Sequence, residues 1–455
     1  MIKQIKYLVA GGGPCGIGAA LRLQELGEND FLVLEKEDYA GGLATSFVDA
    51  QGFTWDVGGH VQFSHYKYFD KIMEKALGKT GWLTHERASF IWMKDRFIPY
   101  PLQNNIHRLP EDIFKECFEG LEKALANNSS NSLKNFKDWL LASFGEGIAS
   151  HFLLPYNYKV WAYHPEKMQY GWIGERVSVV DIERIKKNIE EDKDDISWGP
   201  NNTFQFPKFG GTGAIWKSLA SMIKPSKISL ATEIDTIDSD NNIVTTKNGE
   251  KIEYQYLLST MPLDILCSKI SPMPEAISSK SKELLYSSTH IVGIGVEGPT
   301  PKHLAKKCWL YFPENNCPFY RVTVFSNYSP NNVPDNNTQY SLMTETSESP
   351  DKKVSSDNIL QETIDGLIAS KLLNPNHKIV SKFYKRFEYG YPTPSLTRDE
   401  VLCLCIPYLE KKNIYSRGRF GAWKYEISNQ DHTFMQGVEW VNKMINGEQE
   451  ETFTL

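Results

Sequence analysis

YLVAGGGPCGIGAALRLQELGENDFLVLE, residues 7–35, decides the fold. Tyr7 to Ala10 is a short apolar run that ends in Gly11, Gly12, Gly13, Pro14, Cys15 and Gly16. A helical stretch follows on Ile17, Ala20, Leu21, Leu23 and Leu26, and a second apolar run, Phe31 to Leu34, is closed by Glu35. Gly11, Gly13 and Gly16 stand at the three glycine places of a dinucleotide-binding fingerprint, and the carboxylate follows at the distance that fold requires. One glycine permits the tight turn, one lets backbone approach a pyrophosphate, and one lets the helix pack on the strand with its N-terminus facing the phosphates. Glu35 is then expected to accept hydrogen bonds from a ribose. Gly41-Gly42 comes soon after the acid and Gly58-Gly59 after that. Small residues there let backbone lie against a bulky ring system, so FAD is the expected cofactor rather than NAD.

Composition bounds the rest. At 455 residues, two or three domains are expected. A formal charge of -6 and a pI near 6.0, with no block of Lys and Arg, argue against nucleic acid and anionic membrane as partners. Apolar runs fall short of a membrane span, and the N-terminus does not read as a signal peptide. Seven cysteines without metal or redox spacing read as reduced thiols in a cytoplasmic protein, and no metal site is expected.

Further along, FTWDVGGHVQF (residues 53–63) sets aromatics around Gly58, Gly59 and His60. It reads either as a strand turning at glycines with a core histidine or as backbone laid against a ligand. In RFIPYPLQNN (residues 96–105) two prolines bar a helix and present Tyr100 and Gln103 from a loop. From Pro110 to about Tyr170 the pattern is helical, ending in PYNYKVW (residues 155–161). Residues 183–202 are polar and charged and read as a mobile surface segment. GGTG (residues 210–213) lacks the lysine of a P-loop and reads as a strand-to-helix turn. Two alternating runs around Asn248-Gly249 read as a hairpin, and Tyr256 to Thr260 as a separate buried strand. HIVGIGV, CWLYF, FYRVTVFS and YSLMTET, between residues 290 and 346, read as antiparallel strands. In the third, Arg321 shares a face with Phe319, Thr323 and Phe325, which is costly unless it meets an anion or solvent.

The expected fold is α/β. Residues 1–95, 203–262 and 405–455 would make a discontinuous FAD-binding Rossmann-like domain, with an inserted helical domain at 96–202 and an antiparallel β-sheet substrate domain at 263–404.

GGHVQFSHYKYFD, RFIPYPLQNNI, PYNYKVWA, WGPNNTFQFPKFGGTG, CWLYFPENNCPFYRVTVFSNYSP, RFEYGYPTPSL and RGRFGAWKYEISNQDH closely resemble the eukaryotic-type UDP-galactopyranose mutases, in that family's order and over nearly the whole chain. The resemblance implies an isomerase that interconverts UDP-galactopyranose and UDP-galactofuranose without net oxidation. Its nucleophile is the ring nitrogen of reduced FAD, with NAD(P)H as the external reductant. By matching motifs, Arg176 and Arg321 resemble the arginines flanking sugar and diphosphate, and His60 the residue whose backbone lies against the flavin. Tyr311, Tyr328, Tyr391 and Tyr425 resemble the tyrosines around the diphosphate. Tyr100 and Gln103 resemble the uracil contacts, and Tyr156, Asn157 and Trp161 the uridine wall. Asn201 and Arg419 match positions near galactose and flavin, and Asn429 and Gln430 open a helix whose amides face the cofactor. Leu102 stands where fungal members carry an aromatic residue. The chain also stops soon after residue 445, without the longer tail of those enzymes, which leaves a homo-oligomer open. A flavin amine oxidase or desaturase, a mutase for another UDP-sugar such as UDP-arabinopyranose, and a non-catalytic UDP-sugar binder are the alternatives.

Overall fold

A computed structural model of the chain describes residues 2–127, 133–174, 177, 180–196 and 202–455. β1 (Lys3–Ala10) and β2 (Phe31–Leu34) lie parallel, with Tyr7 opposite Phe31 and Ala10 opposite Leu34, and α1 (Pro14–Glu25) crosses between them. The turn into α1 depends on its glycines. Gly11 has φ +117°, and a Cβ on Gly16 would stand 1.9 Å from the Gly11 carbonyl oxygen. Pro14 opens the helix, where its missing N–H costs nothing. The closing helix Gln430–Asn446 packs on α1, with Phe434, Val438 and Val441 in the same core as Ile17, Ala20 and Leu23.

These elements belong to an eight-stranded sheet ordered Ile270–Ser271, Ile234–Asp238, Ile243–Thr246, Lys251–Ser259, β1, β2 and Ile228–Ser229, with Ile414–Ser416 paired to Lys251–Ser259. The hairpin expected at Asn248-Gly249 forms, but its second arm and the buried strand after it are one strand, Lys251–Ser259. β1 runs along one side of that strand. On its other side the first residues meet Ile243–Thr246 and Leu257 to Ser259 meet Ile414–Ser416. The change of neighbour explains why the apolar pattern shifts from alternating to continuous partway along one strand.

A seven-stranded sheet follows the order Ile379–Pro392, Tyr286–Glu297, Gln339–Glu348, Arg321–Val324, Trp309–Tyr311, Phe90–Met93 and Arg96–Pro99. It is antiparallel except where Trp309–Tyr311 runs parallel to Phe90–Met93. Residues 90–95, grouped by sequence with the nucleotide-binding unit, therefore join the other sheet. Lys94 and Asp95, at φ 51° and 61°, turn them into a hairpin whose apolar face completes the edge.

Helices Glu111–Asn127 and Phe136–Ile148 pair beside this sheet and lead through a π turn, Ala149–Leu153, into Leu154–Trp161. Part of the segment expected to be a mobile surface run is instead the helix Ile182–Glu190. The Asp181 carboxylate caps it, accepting from the Glu183 and Arg184 amides, and Ile182, Ile185 and Ile189 form its inward stripe. Asp195 beyond it is buried and held by Arg184, Asn104 and Asn105. Among the described residues no helix is long and apolar enough to cross a membrane.

Candidate active site

The cofactor cradle opens at Gly11 to Gly16. The Gly12 amide donates to one Glu35 oxygen at 2.6 Å and the Glu37 amide to the other at 2.9 Å, so the acid is held at the end of β2. Burial raises the Glu35 carboxyl above its usual range, and those two amides work against the rise. Gly13 and Gly42 face each other, and a Cβ on Gly13 would meet only the Gly42 Cα, at 3.9 Å; the Gly41 amide donates to the Gly12 carbonyl at 2.8 Å. Gly13 and Gly42 thus line one gap with bare backbone. Asn429 is the N-cap of the closing helix. The Gln430 side-chain oxygen accepts from Trp216 Nε1 at 2.7 Å, which fixes the side chain at the helix start.

The second glycine pair lies flat on the seven-stranded sheet. Gly58 has φ +96°, and a Cβ on Gly59 would stand 2.6 Å from Trp309 Nε1 and 2.7 Å from Thr323 Oγ1. Among the described residues, the buried polar atoms His60 Nδ1, Trp309 Nε1, Thr323 Oγ1 and Tyr328 Oη have no hydrogen-bond partner. Three such atoms, His60 Nδ1, Trp309 Nε1 and Thr323 Oγ1, beside one strip of glycine backbone fit a cradle for a polar, flat ring system such as a flavin.

Arg321 does meet an anion, and the anion is internal. Arg321 Nε and Nη2 bind the two carboxylate oxygens of Glu345 at 2.6 and 2.7 Å, an outcome of the register that sets Arg321 opposite Glu345 on the next strand. Glu345 also accepts from the Gly59 amide at 2.9 Å and from the Tyr320 hydroxyl at 2.8 Å. Burial opposes its charge, yet Arg321 and these donors hold the carboxyl below its usual range, so the pair is ionised at neutral pH. One carboxylate thus fixes both the guanidinium and the backbone beside the glycine cradle. Sequence reading missed Glu345. Its signal was a lone acid in YSLMTET, a strand otherwise built for burial.

Around Arg321 stands a ring of phenols. Tyr100 and Tyr311 are 5.0 Å apart between ring centroids, and Tyr156 meets Tyr311 edge-on at 5.6 Å. Trp161 meets Tyr425 at 4.8 Å and Tyr391 at 5.8 Å, and the Tyr320 hydroxyl reaches the Tyr391 hydroxyl at 3.3 Å. Arg419 lies over the Tyr391 ring at 5.1 Å and is anchored on the Gly390 carbonyl at 3.0 Å. Burial raises the phenols of Tyr100, Tyr156, Tyr328 and Tyr391, which stay neutral donors at physiological pH. Arg87, a second residue missed from sequence, sits over the Tyr100 and Trp309 rings at 5.0 and 5.1 Å and donates to the Tyr311 hydroxyl at 3.2 Å.

Other candidates lie at the margin. Leu102 is fully buried in the core beneath the loop and Gln103 is buried beside it; Asn157 donates its amide to the Leu153 carbonyl at 2.8 Å. Tyr328 is closed in by Phe204, Phe206 and Phe325. Arg176 and Asn201 lie outside the described residues. His60, neutral because burial takes its pKa down to about 4, is subject to opposing pulls from Glu345 and from Arg419 and Arg321. A cleft of about 560 Å³ behind Phe204, lined by Gln62, Phe63, Trp82 and Thr203, carries no arginine, so the anionic chemistry belongs to the tyrosine chamber.

Residues 14–376 match the family described as flavin containing amine oxidoreductase, which defines the class: a flavoprotein with an FAD-binding fold. A solved structure of reduced UDP-galactopyranose mutase is 46% identical, over 98% of this chain and 95% of that one, with a TM-score of 0.96. The chain belongs to the UDP-galactopyranose mutase family and is an isomerase of that kind. A CLA-producing fatty acid isomerase from P. acnes, 14% identical with TM-score 0.66 over 97% of this chain and 99% of that one, shares the fold. So does a putrescine oxidase bound to putrescine, 15% identical with TM-score 0.64 over 98% of this chain and 100% of that one.

Proposed function

We propose that the protein interconverts UDP-galactopyranose and UDP-galactofuranose in the chamber between the glycine cradle and the tyrosine ring. The observation that carries this reading is the Arg321–Glu345 pair, tied through Gly59 to the cradle and ringed by neutral phenols with Arg87 and Arg419 nearby. Such a set suits a diphosphate that must leave and return. Arginine forks bind its oxygens, while phenols donate without adding fixed charge that would trap it. Reduced FAD, when bound, supplies the nucleophile for the anomeric carbon, and NAD(P)H is the reductant assigned to it.

The chain's own residues bind and orient. Gly11, Gly13, Gly16, Gly41 and Gly42 give backbone to the dinucleotide, and Gly58, Gly59 and His60 face the ring. Arg321, with Arg176, holds the diphosphate, and Tyr311, Tyr328, Tyr391 and Tyr425 donate to it or pack around it. Tyr100 and Gln103 meet uracil and Tyr156, Asn157 and Trp161 wall the uridine, while Asn201 and Arg419 stand near the galactose. An amine substrate would find three arginines in place of an apolar tunnel, which sets the oxidase alternative aside. Chemically reduced protein should convert UDP-galactofuranose to UDP-galactopyranose and oxidised protein should not, as read by chromatography of the products. Equal rates in both states would refute the proposal.

A further inference from the structure

We infer that His65, Asp431 and His432 form a binding site for a divalent transition-metal ion, outside the chamber and on the face where the segment after His60 meets the start of the closing helix. His65 comes from that segment and the other two residues from the first turn of the helix, so the site joins two distant parts of the chain. Their ligand atoms all lie within 4.8 Å of one another. Zinc-to-nitrogen and zinc-to-oxygen bonds of about 2.0–2.2 Å place tetrahedral donors about 3.4 Å apart, so small rotations of the rings suffice.

The arrangement of the carboxylate and the two imidazoles suits a metal. Asp431 Oδ2 lies 2.7 Å from His65 Nδ1, and Oδ1 lies 3.0 Å from His432 Nδ1. The side chain of Asp431 is 1% exposed and also accepts from the His65 amide at 3.1 Å. No lysine or arginine pairs with it among the described residues. Both of its oxygens face imidazole nitrogens, which leaves a carboxylate and two ring nitrogens converging where a cation can sit. The imidazole rings are 4.8 Å apart at 66°, and the side chains of His65 and His432 keep 32% and 17% exposure, which gives the ion an entry path and a place for water. Tyr66, whose ring meets His432 at 5.5 Å, hydrogen-bonds Thr452, whose amide and hydroxyl are held by the Glu439 carboxylate. The helix N-terminus works against a cation, and Asp431 within that first turn offsets it. Two imidazoles and one carboxylate favour Zn²⁺, Ni²⁺ or Cu²⁺ over the oxygen-seeking Mg²⁺ and Ca²⁺.

The test uses the flavin-loaded full chain, stripped with a chelator and titrated calorimetrically with Zn²⁺, and separately loaded with Cu²⁺ for electron paramagnetic resonance. The inference expects a saturable one-to-one isotherm and a copper spectrum carrying two nitrogen ligands. His65→Gln and His432→Gln should each weaken binding roughly tenfold or more, and the double variant should abolish it. Flavin content and circular dichroism report whether each variant is folded, and the copper spectrum of the unaltered protein stands as evidence even where a variant is not. Absence of saturable binding, a spectrum without paired nitrogens, or full affinity in a folded double variant would overturn it.

Discussion

Replacing Glu345 by Gln keeps the shape of the side chain and removes the charge that faces Arg321. In the wild type this carboxylate receives two bonds from the guanidinium, one from Gly59 and one from Tyr320, with its side chain 3% exposed and that of Arg321 20% exposed. An amide oxygen cannot serve all four donors, and its NH₂ group faces N–H donors it can only repel. Breaking one side of a buried ion pair costs about 3–5 kcal/mol, and the partial exposure of Arg321 favours the lower end, about 3 kcal/mol, or roughly a hundredfold in the folding equilibrium. A bound diphosphate brings back negative charge beside the stranded guanidinium. UDP should therefore stabilise Glu345→Gln more than it stabilises the wild type. Urea denaturation of both flavin-loaded proteins, with and without UDP, measures the loss and its partial rescue. Wild-type stability in the variant, or equal stabilisation of both proteins by UDP, would refute the idea that Glu345 neutralises Arg321 where the diphosphate binds.

Arg321→Ala should lower kcat/KM by several kcal/mol, on the order of one to three charge-assisted hydrogen bonds, as read from steady-state rates of the reduced enzyme. Gly16→Ala should give colourless or unfolded protein, because the new Cβ would fall 1.9 Å from the Gly11 carbonyl; flavin absorbance after purification checks this. His60 has its pKa lowered by burial to about 4, against about 6.5 in the unfolded chain. Between those values the unfolded chain binds more protons, so this contribution to stability is complete above about pH 6.5 and is lost as pH falls toward 4. A His60→Asn variant should show a shallower decline in stability across that window than the wild type.

Where function depended on neighbours in sequence, it was legible. The boundaries of β2, the turn at Gly11 to Gly16, the position of Glu35 and the hairpin at Asn248-Gly249 all follow from spacing and turn chemistry. Arg321 was visible as a charge on a strand face that needed an anion, but the identity of that anion was not. Glu345 lies 24 residues further on, and only strand register sets the two side by side. Arg87 escaped for a similar reason: its partners Tyr100, Trp309 and Tyr311 come from other strands and loops, and nothing local to residue 87 marks it. The helix Ile182–Glu190 was masked by its charge. Three isoleucines in a polar run suffice for a surface helix with a narrow buried stripe, and the Asp181 cap is as telling a signal as the apolar count.

The central claim is that UDP departs from the anomeric carbon and returns while Arg321 and its neighbours hold it. UDP-galactopyranose carrying ¹⁸O in the bond between sugar and β-phosphate tests this directly. With reduced protein the label should spread into the non-bridging oxygens of the β-phosphate in recovered substrate, and with oxidised protein it should stay in place. Conversion to the furanose with the label still wholly in the bridge would contradict the account.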